Sequence, residues 1–289
     1  SLPILRAGLN YQASNHDFVR ASFGQGFRIP SLAERYFNER LPNSIIGIYP
    51  NPNLQPETGW TAEVAYRRTV GGARALFYVD MAFFVMEYEN MVEFVLGSHS
   101  NGPGLSFVNV SRARIGGWEL SAQGDLLIGK VPLRIWGGYT YSFPGDLSSD
   151  TSRLRKWGNF AAAAFGQFTQ RLERADYPNI LKYRRLHTLR FDVETDWKGF
   201  TIGTALNYNS YMHRIDELFE FGLITPGVGQ FRSIHDKGYW LWDLRLGYAF
   251  NKKQRLNLVI QNVLNEEYAL RPARMGAPRS WSIQYQYRL

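Results

Sequence analysis

Trp281-Ser282-Ile283-Gln284-Tyr285-Gln286-Tyr287-Arg288-Leu289 closes the chain with apolar side chains at odd positions and polar ones between them. A strict two-residue period of this kind marks a β-strand with one apolar and one polar face. The same pattern recurs upstream. Trp240, Trp242, Leu244, Leu246, Tyr248 and Phe250 alternate with Leu241, Asp243, Arg245, Gly247 and Ala249. Leu256, Leu258 and Ile260 oppose Asn257 and Gln261, and Leu189, Phe191 and Val193 oppose Arg190, Asp192 and Glu194. Charged side chains in mid-strand face either bulk water, as in a soluble sandwich, or a wet lumen, as in a porin-like barrel, and the period alone does not choose between them.

The connections make that choice. Strands are predicted near 3–12, 17–28, 57–69, 73–95, 110–126, 131–143, 187–197, 200–213, 239–251, 254–265 and 276–289, eleven in all. Short gaps carry turn chemistry: Ala13-Ser14-Asn15-His16, Val70-Gly71-Gly72, Lys198-Gly199 and Asn251-Lys252-Lys253. Between them lie the long segments 29–56, 96–109, 144–186, 214–238 and 266–275, rich in Pro, Gly, Asn and charge. Several such loops are uncommon in one soluble domain. They are expected of an outer-membrane barrel, which has short periplasmic turns at one rim and long extracellular loops at the other. Most of the strands match or exceed the roughly nine to eleven residues that a tilted spanning strand needs.

Composition agrees. Aromatic residues make up 15% of the 289, as strands and membrane-interface belts require. The mean hydropathy is only -0.30, and no stretch approaches the roughly 20 unbroken apolar residues of a membrane helix. There is no cysteine, which removes disulfides and thiolate metal sites. The net charge of +8 comes without a basic run or a nucleic-acid motif, so no nucleic-acid partner is expected. The start, Ser1-Leu2-Pro3-Ile4, is not a charged leader followed by an apolar core, and the expectation is that further chain precedes it.

Four motifs carry a family resemblance. Gly26-Phe27-Arg28-Ile29-Pro30-Ser31-Leu32-Ala33-Glu34-Arg35-Tyr36, where a strand enters a long loop, resembles the Phe-Arg-Ala-Pro box of TonB-dependent receptors, with Ile29 in place of Ala. Asn51-Pro52-Asn53-Leu54-Gln55-Pro56-Glu57 resembles the family's second box, which opens the next strand. Asn109-Val110-Ser111 leading to Gly117-Trp118-Glu119-Leu120 is similar to the strand that follows, and Asn262-Val263-Leu264-Asn265-Glu266-Glu267-Tyr268 is similar to the penultimate-strand signature. The resemblance spans 17–289. Leu289 departs from the terminal Phe or Trp common in such barrels.

The resemblance implies an all-β, antiparallel up-and-down transmembrane barrel of 22 strands with an N-terminal plug. Residues 1–289 are then expected to be its C-terminal half, eleven strands without the plug or the first barrel half. It also implies location in the bacterial outer membrane and energised import, with a ligand held by loops and plug and TonB pulling on the plug. The implied partners are the remaining barrel half, the TonB complex, lipopolysaccharide and a possible surface lipoprotein. An anionic ligand such as a ferric siderophore is expected near Lys182-Tyr183-Arg184-Arg185, because guanidinium pairs well with anionic oxygens. Arg28, Tyr36 and Arg155 complete the candidate ligand-binding set; lipopolysaccharide phosphates and loop carboxylates compete for the arginines. The family's haem receptors place a His between the first two boxes. Residues 31–50 contain none, so haem is disfavoured.

No catalytic residue, cofactor or metal site is expected. His16, His99, His187, His213 and His235 are scattered. A rim enzyme would need a nucleophile or acid pair beside His, and the only suggestive neighbours are Asp236 beside His235 and Asp216 near His213. The competing readings are a passive channel or a small barrel enzyme closed within this chain.

Overall fold

The computed structural model describes residues 3–40, 47–99, 102–147, 180–215, 219 and 225–288. Eleven strands form one antiparallel path in chain order. They are β1 (Arg6–Gln12), β2 (Asp17–Arg28), β5 (Glu57–Gly72), β6 (Ala75–His99), β7 (Gly102–Ile128), β8 (Val131–Asp146), β9 (His187–Trp197), β10 (Phe200–Asn209), β11 (Tyr239–Ala249), β12 (Gln254–Gln261) and β15 (Ser280–Tyr287). Each pairs with the next along the path, and β1 and β15 form the two ends of an open sheet. Every residue of both end strands is exposed.

The register separates two faces, because ladder partners point to the same side and alternate residues to opposite sides. Arg20, Ala65 and Ala82 lie in one row, continuing through Glu119, Thr140 and Thr188. This polar face is laced by ion pairs. Arg20 and Arg67 both meet Asp80, at 2.8 and 2.9 Å, and Arg245 meets Asp192 at 2.8 Å and Glu194 at 3.4 Å. The other face carries Phe191, Leu206, Trp242, Leu246, Leu258 and Ile283. Ile283 is 74% and Trp281 63% exposed, which suits a wall that meets lipid rather than water.

The buried apolar core lies instead at the loop end of the wall. Leu54, Ile180, Leu181, Leu186, Met212 and Ile215 are each almost fully covered. Three long connections build their own structure there. The first holds α1 (Leu32–Tyr36), β3 (Glu39–Arg40) and β4 (Gly47–Tyr49). The connection between β10 and β11 holds α2 (Val228–Ile234), and the one between β12 and β15 holds the small hairpin β13 (Ala269–Arg271) and β14 (Arg274–Met275).

Two sequence expectations change. The loop expected at 96–109 is a continuation of the sheet: β6 and β7 pair as far as His99 and Gly102. Glycine and proline in Gly102-Pro103-Gly104 read locally as a loop, but β4 adds in parallel along this extension, Gly47 opposite Gly104 and Tyr49 opposite Ser106. Glycine is required at 104, where a Cβ would stand 2.2 Å from the Tyr49 ring. The turn expected at Val70-Gly71-Gly72 is displaced by two residues to Ala73-Arg74, since the β5 ladder runs through Gly72 opposite Ala75. Arg155, Asp216 and Leu289 lie outside the described residues.

Candidate functional site

The Phe-Arg motif folds into an ion-paired cap. Ser31 caps α1: its hydroxyl oxygen accepts from the Glu34 amide, and the Glu34 carboxylate accepts from the Ser31 amide at 2.7 Å. Arg28, the last residue of β2, reaches Glu34 at 2.9 Å and Glu57 of β5 at 2.6 Å. Glu57 also accepts from the Val92 amide of β6 at 2.6 Å. Partial burial opposes ionisation of Glu34, but the Arg28 guanidinium and the Ser31 donors together hold its carboxyl below the usual carboxylate range. Arg28 therefore clamps the start of the first long loop to two strands. Tyr36, at the end of α1, is 57% exposed.

The second motif is stitched to the third. The Asn109 side chain accepts from the Gln55 amide at 2.9 Å and donates to the carbonyls of Gln55 and Asn90, while Asn51 donates to the Phe107 carbonyl at 2.9 Å. In the fourth motif Asn262 and Asn265 adopt φ of 51° and 53°, a left-handed conformation that asparagine tolerates well. Asn262 accepts from the Glu266 amide and donates to the carbonyls of Glu266 and Ala277. The motifs thus fix the roots of the long connections to the strands of the wall.

Lys182, Tyr183, Arg184 and Arg185 lie on the segment that enters β9. Tyr183 has φ 62°, and its amide donates to the Arg214 carbonyl at 2.8 Å. Arg184 is exposed. Glu93 sits on the part of β6 that rises well beyond a membrane-spanning length. Burial pushes its carboxyl up, against the pull of Lys182, Arg214 and Arg184.

Arg185 points elsewhere, into a cavity of about 790 Å3 between the β8–β9, β10–β11 and β12–β15 connections. Its guanidinium donates to the carbonyls of Ser210 and Ala269 and lies 4.9 Å from the centre of the Tyr239 ring. Burial lowers its basicity, and the like charge of Arg232 adds to the effect. Arg232 stands 4.7 Å from the Tyr211 ring and donates to the Met212 carbonyl. Tyr239 and Tyr268 pack ring against ring at 4.7 Å. The lining has four cations, Arg185, Arg232, Lys237 and Arg271, against three acids, Asp236, Glu266 and Glu267. His235 also lines it, stacked on Phe231 at 4.1 Å.

Of the expected ligand residues that are described, only Arg185 lines this cavity; Arg28 belongs to the ion-paired cap, and Lys182 and Arg184 act on Glu93. The sequence alone does not mark Tyr211, Arg232, Tyr239, Tyr268 and Arg271 as cavity residues. Tyr239 opens a strand and Tyr268 closes a motif, so each has a local structural reading that hides its place in the cavity. The usable signal is topological: the loops flanking the β11–β12 hairpin must meet at one rim.

An open antiparallel wall with one polar and one lipid-type face, short turns at one rim and structured loops at the other defines an outer-membrane barrel protein. The family model "TonB dependent receptor-like, beta-barrel" matches residues 5–263, and the chain belongs to that family of outer-membrane receptors. It is 32% identical over 124 residues to hemoglobin-haptoglobin-binding protein A of Haemophilus influenzae, covering 39% of this chain and 11% of that one. Among solved structures, the copper transporter OprC shares the fold with a TM-score of 0.65 at 15% identity, over 98% of this chain and 39% of OprC. The ferric-catecholate import receptor Fiu of E. coli K12 does so with a TM-score of 0.63 at 19% identity, over 98% of this chain and 34% of Fiu. The chain therefore spans well under half the length of these proteins.

Proposed function

We propose that this chain is the C-terminal, eleven-stranded half of a 22-stranded importer barrel, and that its extracellular cavity helps to hold an anionic chelate such as a ferric siderophore. The observation that carries the ligand class is the pair of partly covered guanidiniums, Arg185 and Arg232, that line one cavity, each against a tyrosine ring, with the charge of Arg232 bearing on Arg185. A bound anion relieves that repulsion, and tyrosine faces suit aromatic chelating groups. The open edges at β1 and β15 support the half-barrel reading, because unpaired strand edges in hydrocarbon cost several kcal/mol per group. The missing wall and a plug would complete the structure, with TonB acting through the plug. A surface lipoprotein could share the loop rim, and lipopolysaccharide would border it. No bond is broken in this role, so the chain acts as a receptor and not as an enzyme.

The test uses the full receptor. Uptake of iron-loaded catecholate and hydroxamate chelates is compared between wild type and an Arg232→Ala/Arg271→Ala variant, with hemin titrated in parallel. Chelate-dependent uptake that falls about ten-fold or more in the variant supports the reading, one charge-assisted contact commonly contributing a factor of that order. Hemin binding that His235→Ala abolishes would move the ligand to haem, against the present engagement of the His235 ring with its own helix.

A further inference from the structure

The five short turns join β1 to β2, β5 to β6, β7 to β8, β9 to β10 and β11 to β12. At 13–16, 73–74, 129–130, 198–199 and 250–253 they contain Arg74, Lys130, Lys198, Lys252 and Lys253 and no Asp or Glu. All five cations are exposed. Their situation differs from that of the polar face of the wall, where Arg20, Arg67, Arg134, Arg245 and Arg255 each meet a carboxylate. Among the described residues, none of the five turn cations has a carboxylate within 4.0 Å.

Three of these charges converge. β10 pairs with β11, Phe200 opposite Tyr248, and the Ala249 amide donates to the Gly199 carbonyl at 2.8 Å, so the Lys198-Gly199 turn lies beside the turn that carries Lys252 and Lys253. Directly above them the lipid-type face is aromatic. Phe200 and Tyr248 pack at 4.6 Å, and Tyr248 and Phe250 meet edge to face at 5.0 Å. The Lys198 ammonium stands 4.5 Å from the Trp197 ring. Aromatic rings bordering a row of ammonium groups that have no carboxylate partner are the arrangement of a membrane–water boundary.

We propose that this rim is a binding surface for anionic phospholipid in the inner leaflet, with Lys198, Lys252 and Lys253 taking phosphodiester oxygens while Trp197, Phe200, Tyr248 and Phe250 lie against the glycerol and upper acyl region. Charge complementarity selects the occupant: the turns offer unneutralised cations, and a zwitterionic headgroup returns its own cation to the site. The proposal rests on the placement of the short turns at the periplasmic rim and is independent of what the receptor imports.

Native mass spectrometry of the full receptor, released from nanodiscs containing equal phosphatidylethanolamine and phosphatidylglycerol, tests it. Wild type is expected to retain phosphatidylglycerol preferentially, and Lys198→Gln/Lys252→Gln/Lys253→Gln to lose the preference by about five-fold for each cation removed. The Arg triple variant retains it, which separates lost charge from lost folding. Equal retention of the two lipids by wild type, or a Gln variant that behaves as wild type, overturns the proposal. So does selective capture of an acidic periplasmic protein by the same turns without any lipid preference. Labelling Lys252→Cys in cells with a reagent that cannot cross the outer membrane checks the orientation separately: reaction in intact cells would refute the periplasmic placement itself.

Discussion

The Arg185 guanidinium lies over the Tyr239 ring, 4.9 Å from its centre, and from there donates to the carbonyls of Ser210 and Ala269. One side chain thus fastens the root of the β10–β11 loop and the β13 hairpin to the first residue of β11.

Removing it leaves two partly covered carbonyls without their charged donor. Arg185→Ala is expected to lower the local stability of these loops by about 2 kcal/mol, the usual size for hydrogen bonds to a charged group. Arg185→Lys keeps the charge but has no planar fork to span both carbonyls and recovers only part of the loss. Faster amide hydrogen exchange at 210–215 and 269–275, with strand exchange unchanged, is the expected readout.

The cap at Arg28 should loosen in acid. Glu34 has a carboxyl pKa held below its unfolded value, so its contribution is fully present above the ordinary carboxylate pKa, about 4.3. That contribution is lost as pH falls through the depressed folded value. Arg28 stays charged throughout and gains nothing to compensate. A fluorophore at Tyr36→Cys should report release of the loop below about pH 4, and Glu34→Gln should show the released signal already at pH 7.

How far the chain could be read from sequence differs between wall and site. Trp281, Ile283, Tyr285 and Tyr287 announce their face because strand side chains alternate and the lipid and lumen sides differ in polarity. The eleven strands follow from that local rule. The β6–β7 extension escapes it, because Gly102-Pro103-Gly104 reads as a loop, while in the fold β4 adds along β7 there through residues more than fifty positions apart. The cavity escapes it for the same reason: Arg185, Arg232 and Tyr268 belong to three different loops that meet only through the strand order. Arg28 was visible as a motif residue, yet its partners Glu34 and Glu57 turn it into a clamp for the loop.

On the polar face, Arg245 joins Asp192 and Glu194 across three strands. Arg245→Met should leave Asp192 without its cation, Glu194 keeping Arg134 at 2.7 Å, and cost the complete barrel about 1 kcal/mol, the partial exposure of the groups keeping the figure modest. The double variant Arg245→Met/Asp192→Asn should recover much of it. Urea unfolding of the complete receptor in detergent, followed by tryptophan fluorescence, measures both.

The two faces themselves can be told apart by one charge placed on each. Leu258 lies opposite Leu246 on one side and Ile283 on the other, in the middle of the apolar face. Its neighbour Asn257 lies on the polar face, opposite Gly247 and Gln284, and its side-chain oxygen accepts from Arg255 at 3.0 Å. An arginine at a lipid-facing position near the bilayer midplane costs about 2 to 4 kcal/mol, and a lumen position carries no such penalty. Leu258→Arg is therefore expected to reduce the heat-modifiable, folded fraction of the receptor in the outer membrane several-fold, while Gln284→Arg, one residue from Ile283 but on the other face, leaves it near wild type. Equal loss in both variants would mean that both faces of this sheet are dry, and equal tolerance that neither meets lipid; either result removes the basis for assigning Phe191, Leu206, Leu258 and Ile283 to the membrane.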